Sequence, residues 1–347
     1  MAAKNQATGV IESGLGTFSK DKFRALVNVR ANALKSVRDA LTERGYTEVS
    51  VASLVNIAGS CENPNASFTL PYYGREAHLS QSAQLQLEAL VIRLLRGFFT
   101  VNNSFREENY DDPDAAGRRL SEFTLIEPEM PYPGLKPDDA LSKIIEQEEE
   151  VVKKVVEQTL ASNEQDIGVL GGDVGYLKKA HKAKFNRISY DDAIALLNKL
   201  GGRTYSFGDD LNIAEERKIL AFFDNVPTFV THYPAKIKFF NMKRTPDGER
   251  VYSVDLLLPK LGESTGGAVR EEDGEKIKSY LLSSKVGQFL RDKGQDPLLP
   301  FTEYFKLFEQ EPPVVRGGFG IGFERLIGFL LQSNDILDTI SYRTMQP

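Results

Sequence analysis

The chain has 347 residues, 41% of them hydrophobic, enough to bury one large core or two modest ones. Its 43 Lys and Arg stand against 49 Asp and Glu, a net charge of −6, so no global basic field draws it to nucleic acid, although a local basic patch is compatible with that total. The single cysteine, Cys61, excludes an intrachain disulfide and a cysteine-based zinc site; no apolar run reaches the ~18–20 residues of a bilayer span, and residues 1–20 lack the basic-then-apolar order of a secretory signal, so a cytoplasmic setting is expected.

Residues 1–20 read as an N-terminal extension. Over 24–44, Leu26, Val27, Val29, Leu34, Val37 and Leu41 recur at mostly helical spacing with arginines on the other side; Gly45 stops the helix and 46–54 reads as a strand. The turn-rich loop 58–68 presents Glu62. Residues 78–99 run from a polar turn into an apolar helix, with Ser82 and Gln84 near its start and Glu88 one turn after Gln84 on the same face.

The stretch 105–130 pairs an arginine, Arg106, with an acidic loop and a second strand. In that strand Glu122, Thr124, Ile126 and Pro128 face one side; Phe123, Leu125, Glu127 and Glu129 face the other. A hairpin with charge and a stacking aromatic on one face suits a nucleoside triphosphate: arginines for phosphates, a ring for the base, carboxylates for an amino group or a metal. Residues 137–163 follow as a long charged helix with an acidic first turn, its EEE–KK run read as a solvated face. Two amphipathic helices are expected within 164–225, then strands at 227–234, 236–244 and 251–259 about the turn TPDGER.

Asp255 and Glu263 flank a strand and turn, and spacing alone does not bring them together. Gly266 and Gly267 allow close approach of backbone to a ligand. Residues 316–331 turn a glycine-rich strand into an apolar helix. A dinucleotide fold fails there on spacing, since Gly318, Gly320 and Gly322 give GxGxG and only 22 residues follow Arg325. No repeat, low-complexity tract or linker divides the chain.

The stretches 24–54, 105–130 and 316–331 resemble, in order, motifs 1, 2 and 3 of class II aminoacyl-tRNA synthetases, over roughly 20–345. IEPEM and the S-x-Q-L-x-x-E of 82–88 are similar to the asparaginyl enzymes. The resemblance implies an α/β (α+β) fold: a class II synthetase-type antiparallel sheet flanked by helices, in one domain, 21–347, with a helical insertion at about 137–225 and without the N-terminal anticodon-reading barrel. It implies a homodimer through the motif 1 helix and strand, although Ala52 stands where the family carries proline.

It also implies ATP and Mg²⁺ as cofactors. Arg106 would hold the α-phosphate and the substrate carboxylate. Arg325 would stack on adenine opposite Phe123, these two arginines being the catalytic pair. Glu108, Arg118 and Arg119 complete the ATP-binding set, and Asp255 and Glu263 hold the metal. Glu62, Gln84 and Glu127, beside Ser82, take the α-ammonium, while Glu88 and Arg270 read a side-chain carboxamide, accepting from its NH₂ and donating to its C=O. Aspartyl enzymes place a lysine where this chain has Leu87.

Three departures concern the acceptor side: Arg119 and Arg316 replace histidines, and 307–315 is acidic where the family carries arginines. The expectation is an AMP-forming ligase that activates asparagine and passes it to a non-tRNA acceptor, without tRNA or membrane partners. The alternatives are an asparagine synthetase that adenylates aspartate and amidates it with ammonia, and an inactive regulatory or tRNA-binding paralogue.

Overall fold

The computed structural model describes residues 18–60, 63–108 and 117–342. Cys61, Glu62 and most of the extension 1–20 lie outside them.

The chain opens with α1 (Lys20–Glu43), capped by Ser19 Oγ accepting from the Lys22 amide, and it buries Leu26, Val29, Ala33, Val37 and Leu41. Each of the Leu and Val side chains taken from water is worth about 2 kcal/mol. The expected strand 46–54 is instead two short ones. β1 (Thr47–Glu48) pairs with the main sheet, and β2 (Leu54–Val55) joins a small one with β3 (Thr69–Tyr72) and β4 (Arg75–Leu79). The backbone leaves one sheet for the other between them, so no single ladder spans the stretch.

Next come α2 (Gln84–Leu94), β5 (Phe98–Phe105) and β6 (Glu122–Pro131). The last two form the expected antiparallel pair, in register from Phe98 opposite Glu129 to Phe105 opposite Glu122. α3 (Pro137–Leu170) begins with proline in its first turn beside Asp138 and Asp139 and ends on Gly171 at φ +89°. Its apolar stripe, from Leu141 and Ile144 to Val155 and Val156, packs against α1 and the sheet in one core. The charge run is therefore not wholly a solvated face: Glu148 points inward and is completely buried.

After α4 (Val174–Lys182) come β7 (Asn186–Ser189), α5 (Tyr190–Leu200), α6 (Ile213–Phe222) and β8 (Thr228–Thr231). The strand expected at 236–244 does not form. A 3₁₀ turn at Ala235–Ile237 bends the chain so that Phe240 packs edge-on to Phe301 in a second core, leaving isolated bridges at Met242 and Arg244. The chain closes with β9 (Ser253–Leu258), β10 (Gly262–Arg270), α7 (Gly274–Ser283), α8 (Lys285–Asp292), α9 (Thr302–Gln310), β11 (Arg316–Gly322) and α10 (Phe323–Leu331).

The large sheet has the order β1-β5-β6-β11-β10-β9-β8-β7, antiparallel except for the β1/β5 and β7/β8 edges, and helices flank it. The expected fold class is borne out. Among the described residues no helix is long and apolar enough to cross a membrane.

Candidate active site

The site lies on the face of β6, β11 and β10 that α3 does not cover. Strand alternation sets it: Ile126 enters the main core, while Glu127 and Glu129 project to the other face, and Arg270 meets Glu129 there. The faces expected from the sequence are thus the faces observed.

At one end is a cluster of arginines and carboxylates. Arg106 follows β5 and its guanidinium lies 5.6 Å from the centre of the Phe123 ring. Arg119 pairs with Glu108 at 3.2 Å, and Arg118 lies 4.0 Å from Glu216 of α6. Arg325, at the start of α10, donates to the Glu263 carbonyl and sits 4.0 Å from its carboxylate. Arg106 is partly open to solvent yet ringed by protein. Desolvation above all lowers its pKa, Arg325 and Arg119 add to this, and Glu108 and Glu263 oppose it. Glu216 was not singled out by the sequence; burial, with Glu263 nearby, pushes it up to about 7.

Asp255 and Glu263 converge on Gly266. A Cβ on that glycine would lie 3.4 Å from Asp255 Oδ1 and 3.4 Å from Glu263 Oε1, so its absence keeps the space between them open. A bulge between Glu263 and Thr265 in the β9–β10 ladder sets this geometry. Asp255 Oδ2 is engaged by Lys238 Nζ at 2.5 Å. Burial pushes Asp255 up to about 6, against Lys238 and with Glu263. Among the described residues no group of three or more His, Cys, Asp or Glu could hold a metal by itself. Two carboxylates nevertheless suit Mg²⁺, which takes one or two of them and completes its shell with phosphate and water oxygens.

At the other end lies a cluster of buried polar side chains. Glu127 accepts from Ser82 Oγ (2.5 Å) and the Ala83 amide (2.9 Å), and burial still raises its pKa. The neighbouring Gln81, also not singled out, holds residues 63–66: it accepts from the Asn63 amide (2.8 Å) and donates to the Asn63 and Ala66 carbonyls. Arg270 donates to Glu129 through Nε (3.1 Å) and Nη2 (3.0 Å), and burial pushes Glu129 up to about 7 despite that guanidinium.

Glu88 and Arg270 belong to this cluster, but each already has a partner. Glu88 receives Arg316 Nε (3.0 Å) and Nη2 (2.6 Å), the Tyr304 hydroxyl (3.0 Å), Asn241 Nδ2 (2.5 Å) and Gln84 Nε2 (3.3 Å). The sequence marked Arg316 as a departure without showing where it goes. Asn241 and Tyr304 come from segments with no local signal.

Residues 12–346 match the family described as tRNA synthetases class II (D, K and N). The chain is 36% identical over 330 residues to the cytoplasmic asparagine–tRNA ligase of Saccharomyces cerevisiae, covering 93% of itself and 54% of that protein. It is 34% identical over 328 residues to the asparagine–tRNA ligase of Pyrococcus furiosus, covering 94% of itself and 68% of the relative. It thus spans between about half and two thirds of the length of these relatives. Among solved structures it is similar to asparaginyl-tRNA synthetase from Pyrococcus horikoshii complexed with asparaginyl-adenylate, with a TM-score of 0.81, 34% identity, and coverage of 93% of this chain and 69% of that one. With a fold, a site face and a family match that run the length of the described chain, this protein is a member of the class II (D, K and N) tRNA synthetase family.

Proposed function

We propose that the protein is an ATP-dependent, AMP-forming ligase that activates asparagine or a close analogue as its adenylate and passes the acyl group to a non-tRNA acceptor. The observation that carries this reading is the meeting, on one sheet face, of an arginine–carboxylate cluster beside Phe123 with the buried polar cluster around Glu127 and Arg270.

In the first step a carboxylate oxygen of the amino acid attacks the α-phosphorus of ATP. A C(O)–O–P linkage forms, the bond to the bridging oxygen breaks, and pyrophosphate leaves. Positioning and charge stabilisation supply most of the rate. Arg106 holds the α-phosphate and the incoming carboxylate, Arg118 and Arg119 with Glu108 the tail, and Phe123 and Arg325 the adenine. Glu127, oriented by Ser82, takes the α-ammonium together with Gln84 and Glu62. Mg²⁺ held by Asp255 and Glu263 would neutralise charge on the phosphates. In the second step an acceptor amine attacks the acyl carbon and AMP departs.

The non-tRNA acceptor is supported by 307–315, where Glu309 and Glu311 stand in a stretch that carries arginines in the family, leaving fewer cations to meet a phosphate backbone. Dimerisation through α1 and the strand after it belongs to the same reading, with exposed Val27 and Leu54 on those segments. So does a cytoplasmic setting, as the name of the yeast relative states for that protein.

Amino-acid-dependent ATP–pyrophosphate exchange without tRNA tests the reading, with asparagine and aspartate assayed separately. Exchange with asparagine supports it; exchange with aspartate alone, with asparagine formed on adding ammonium, makes the protein an asparagine synthetase instead. Silence with both refutes it and leaves the inactive paralogue.

A further inference from the structure

The family resemblance gives Glu88 the task of accepting from a substrate carboxamide, which requires a vacant acceptor. The five donors on its carboxylate exceed the roughly four lone-pair sites that such a group offers. Glu88 and Arg316 are 0% and 1% exposed, so water does not complete or compete for this shell. Gln84 Nε2, at 3.3 Å, is the longest of the five contacts, and even its loss would free one site beside a charge already compensated by Arg316.

Arg316 lies directly across β10–β11 from Arg270, so the two guanidinium groups share a face. Like charges opposite one another in a ladder are unfavourable unless countered. Here Glu88 counters one and Glu129 the other, giving a buried set of two acids and two bases. Arg270 uses Nε and Nη2 on Glu129 and the Gly318 carbonyl, and among the described residues no hydrogen bond uses its Nη1. What this end of the site offers a side chain is therefore a donor on Arg270.

We propose that Arg316 sets the side-chain specificity of this site. By closing Glu88 into an ion pair it removes the group that would separate a carboxamide from a carboxylate, so that short side chains of both kinds are accepted through an oxygen on Arg270. The inference rests on the adenylating reading above and narrows its substrate class. Without Arg316 the Glu88 charge would face a substrate carboxylate uncompensated. At ~6 Å and an effective dielectric of ~20, that repulsion corresponds to about 100-fold in selectivity.

The test uses the full chain as wild type, Arg316→Gln and the charge-balanced double variant Glu88→Gln/Arg316→Gln. Each is assayed by ATP–pyrophosphate exchange with asparagine and with aspartate, and by calorimetric binding of the sulfamoyl-adenosine mimics of the two adenylates. Wild type should favour neither amino acid by more than about tenfold. Arg316→Gln should lower aspartate relative to asparagine by about 100-fold, and the double variant should return to the wild-type ratio.

A wild-type preference for either amino acid above about tenfold, or a double variant that loses an asparagine preference held by wild type, overturns the proposal. If Arg316→Gln fails to fold with its uncompensated acid, the wild-type and double-variant ratios still decide. Exchange with asparagine alone overturns this inference and leaves the ligase reading standing. Absence of exchange and of binding to both mimics overturns the ligase reading itself.

Discussion

Lys238 Nζ lies 2.5 Å from Asp255 Oδ2, and both groups are withdrawn from solvent. Burial disfavours each charge alone, so the pair persists because the two were desolvated together. Lys238→Met should destabilise the protein by about 3–5 kcal/mol, read from urea unfolding, because it strands a buried carboxylate. Adding Asp255→Asn should recover much of that loss. A double variant no more stable than the single one would show that Lys238 acts through packing instead.

Two site glycines should respond differently to one methyl group. At Gly266 the new Cβ meets Asp255 and Glu263 at ordinary contact distance, so Gly266→Ala should melt within a few degrees of wild type. It should nevertheless weaken the Mg²⁺ dependence of pyrophosphate exchange by about tenfold or more, since it fills the gap between the carboxylates. At Gly318 the Cβ would run into the Pro128 carbonyl and the Glu129 carboxylate, so Gly318→Ala should unpair β6 from β11. Paired thermal melts and Mg²⁺ titrations separate the two outcomes.

Phe123 supplies the flat surface beside Arg106. If it stacks on adenine, Phe123→Ala should remove about 1–3 kcal/mol of ATP binding. That is a rise in KM for ATP of roughly 5- to 150-fold, with KM for the amino acid little changed. An equal rise in both constants would place the ring between the two ligands.

Glu148 is the pH-sensitive element of the core. It is fully buried beneath β10, takes the Thr265 hydroxyl, and burial raises its pKa well above the usual carboxylate range. Burial therefore favours the protonated form more in the folded protein than in the unfolded chain. Stability from this group is full below the unfolded pKa of about 4.5 and is lost as pH rises above it. Glu148→Gln should accordingly be more stable than wild type at pH 7, with the gain shrinking as pH falls toward 4.5. Urea midpoints at several pH values check the slope; a gain independent of pH would refute the protonated acid.

Much of the site was legible because strand alternation is local. The period of two in 122–131 put Phe123, Glu127 and Glu129 on one face, and the structure keeps them there. The convergence of Asp255 and Glu263 was not legible from spacing, since it depends on a bulge between Glu263 and Thr265. Lys238, Glu216, Tyr304 and Asn241 reach the site through tertiary packing, which no local pattern in their segments assigns to it. The 236–244 stretch misled for a related reason: its apolar residues serve a core contact between Phe240 and Phe301, not a ladder. Glu62 lies outside the described residues.

Gln81 and Ser82 are consecutive, yet they hold different things: Gln81 grips the backbone of Asn63 and Ala66, and Ser82 grips Glu127. One peptide unit thus joins the buried polar cluster around Glu127 to the loop beside it. In the proposed reaction, an ammonium that draws Glu127 away from Ser82 tugs the same short lever that positions residues 63–66. An ammonium bound at Glu127 and the placement of residues 63–66 are thus linked through two adjacent residues, Gln81 and Ser82.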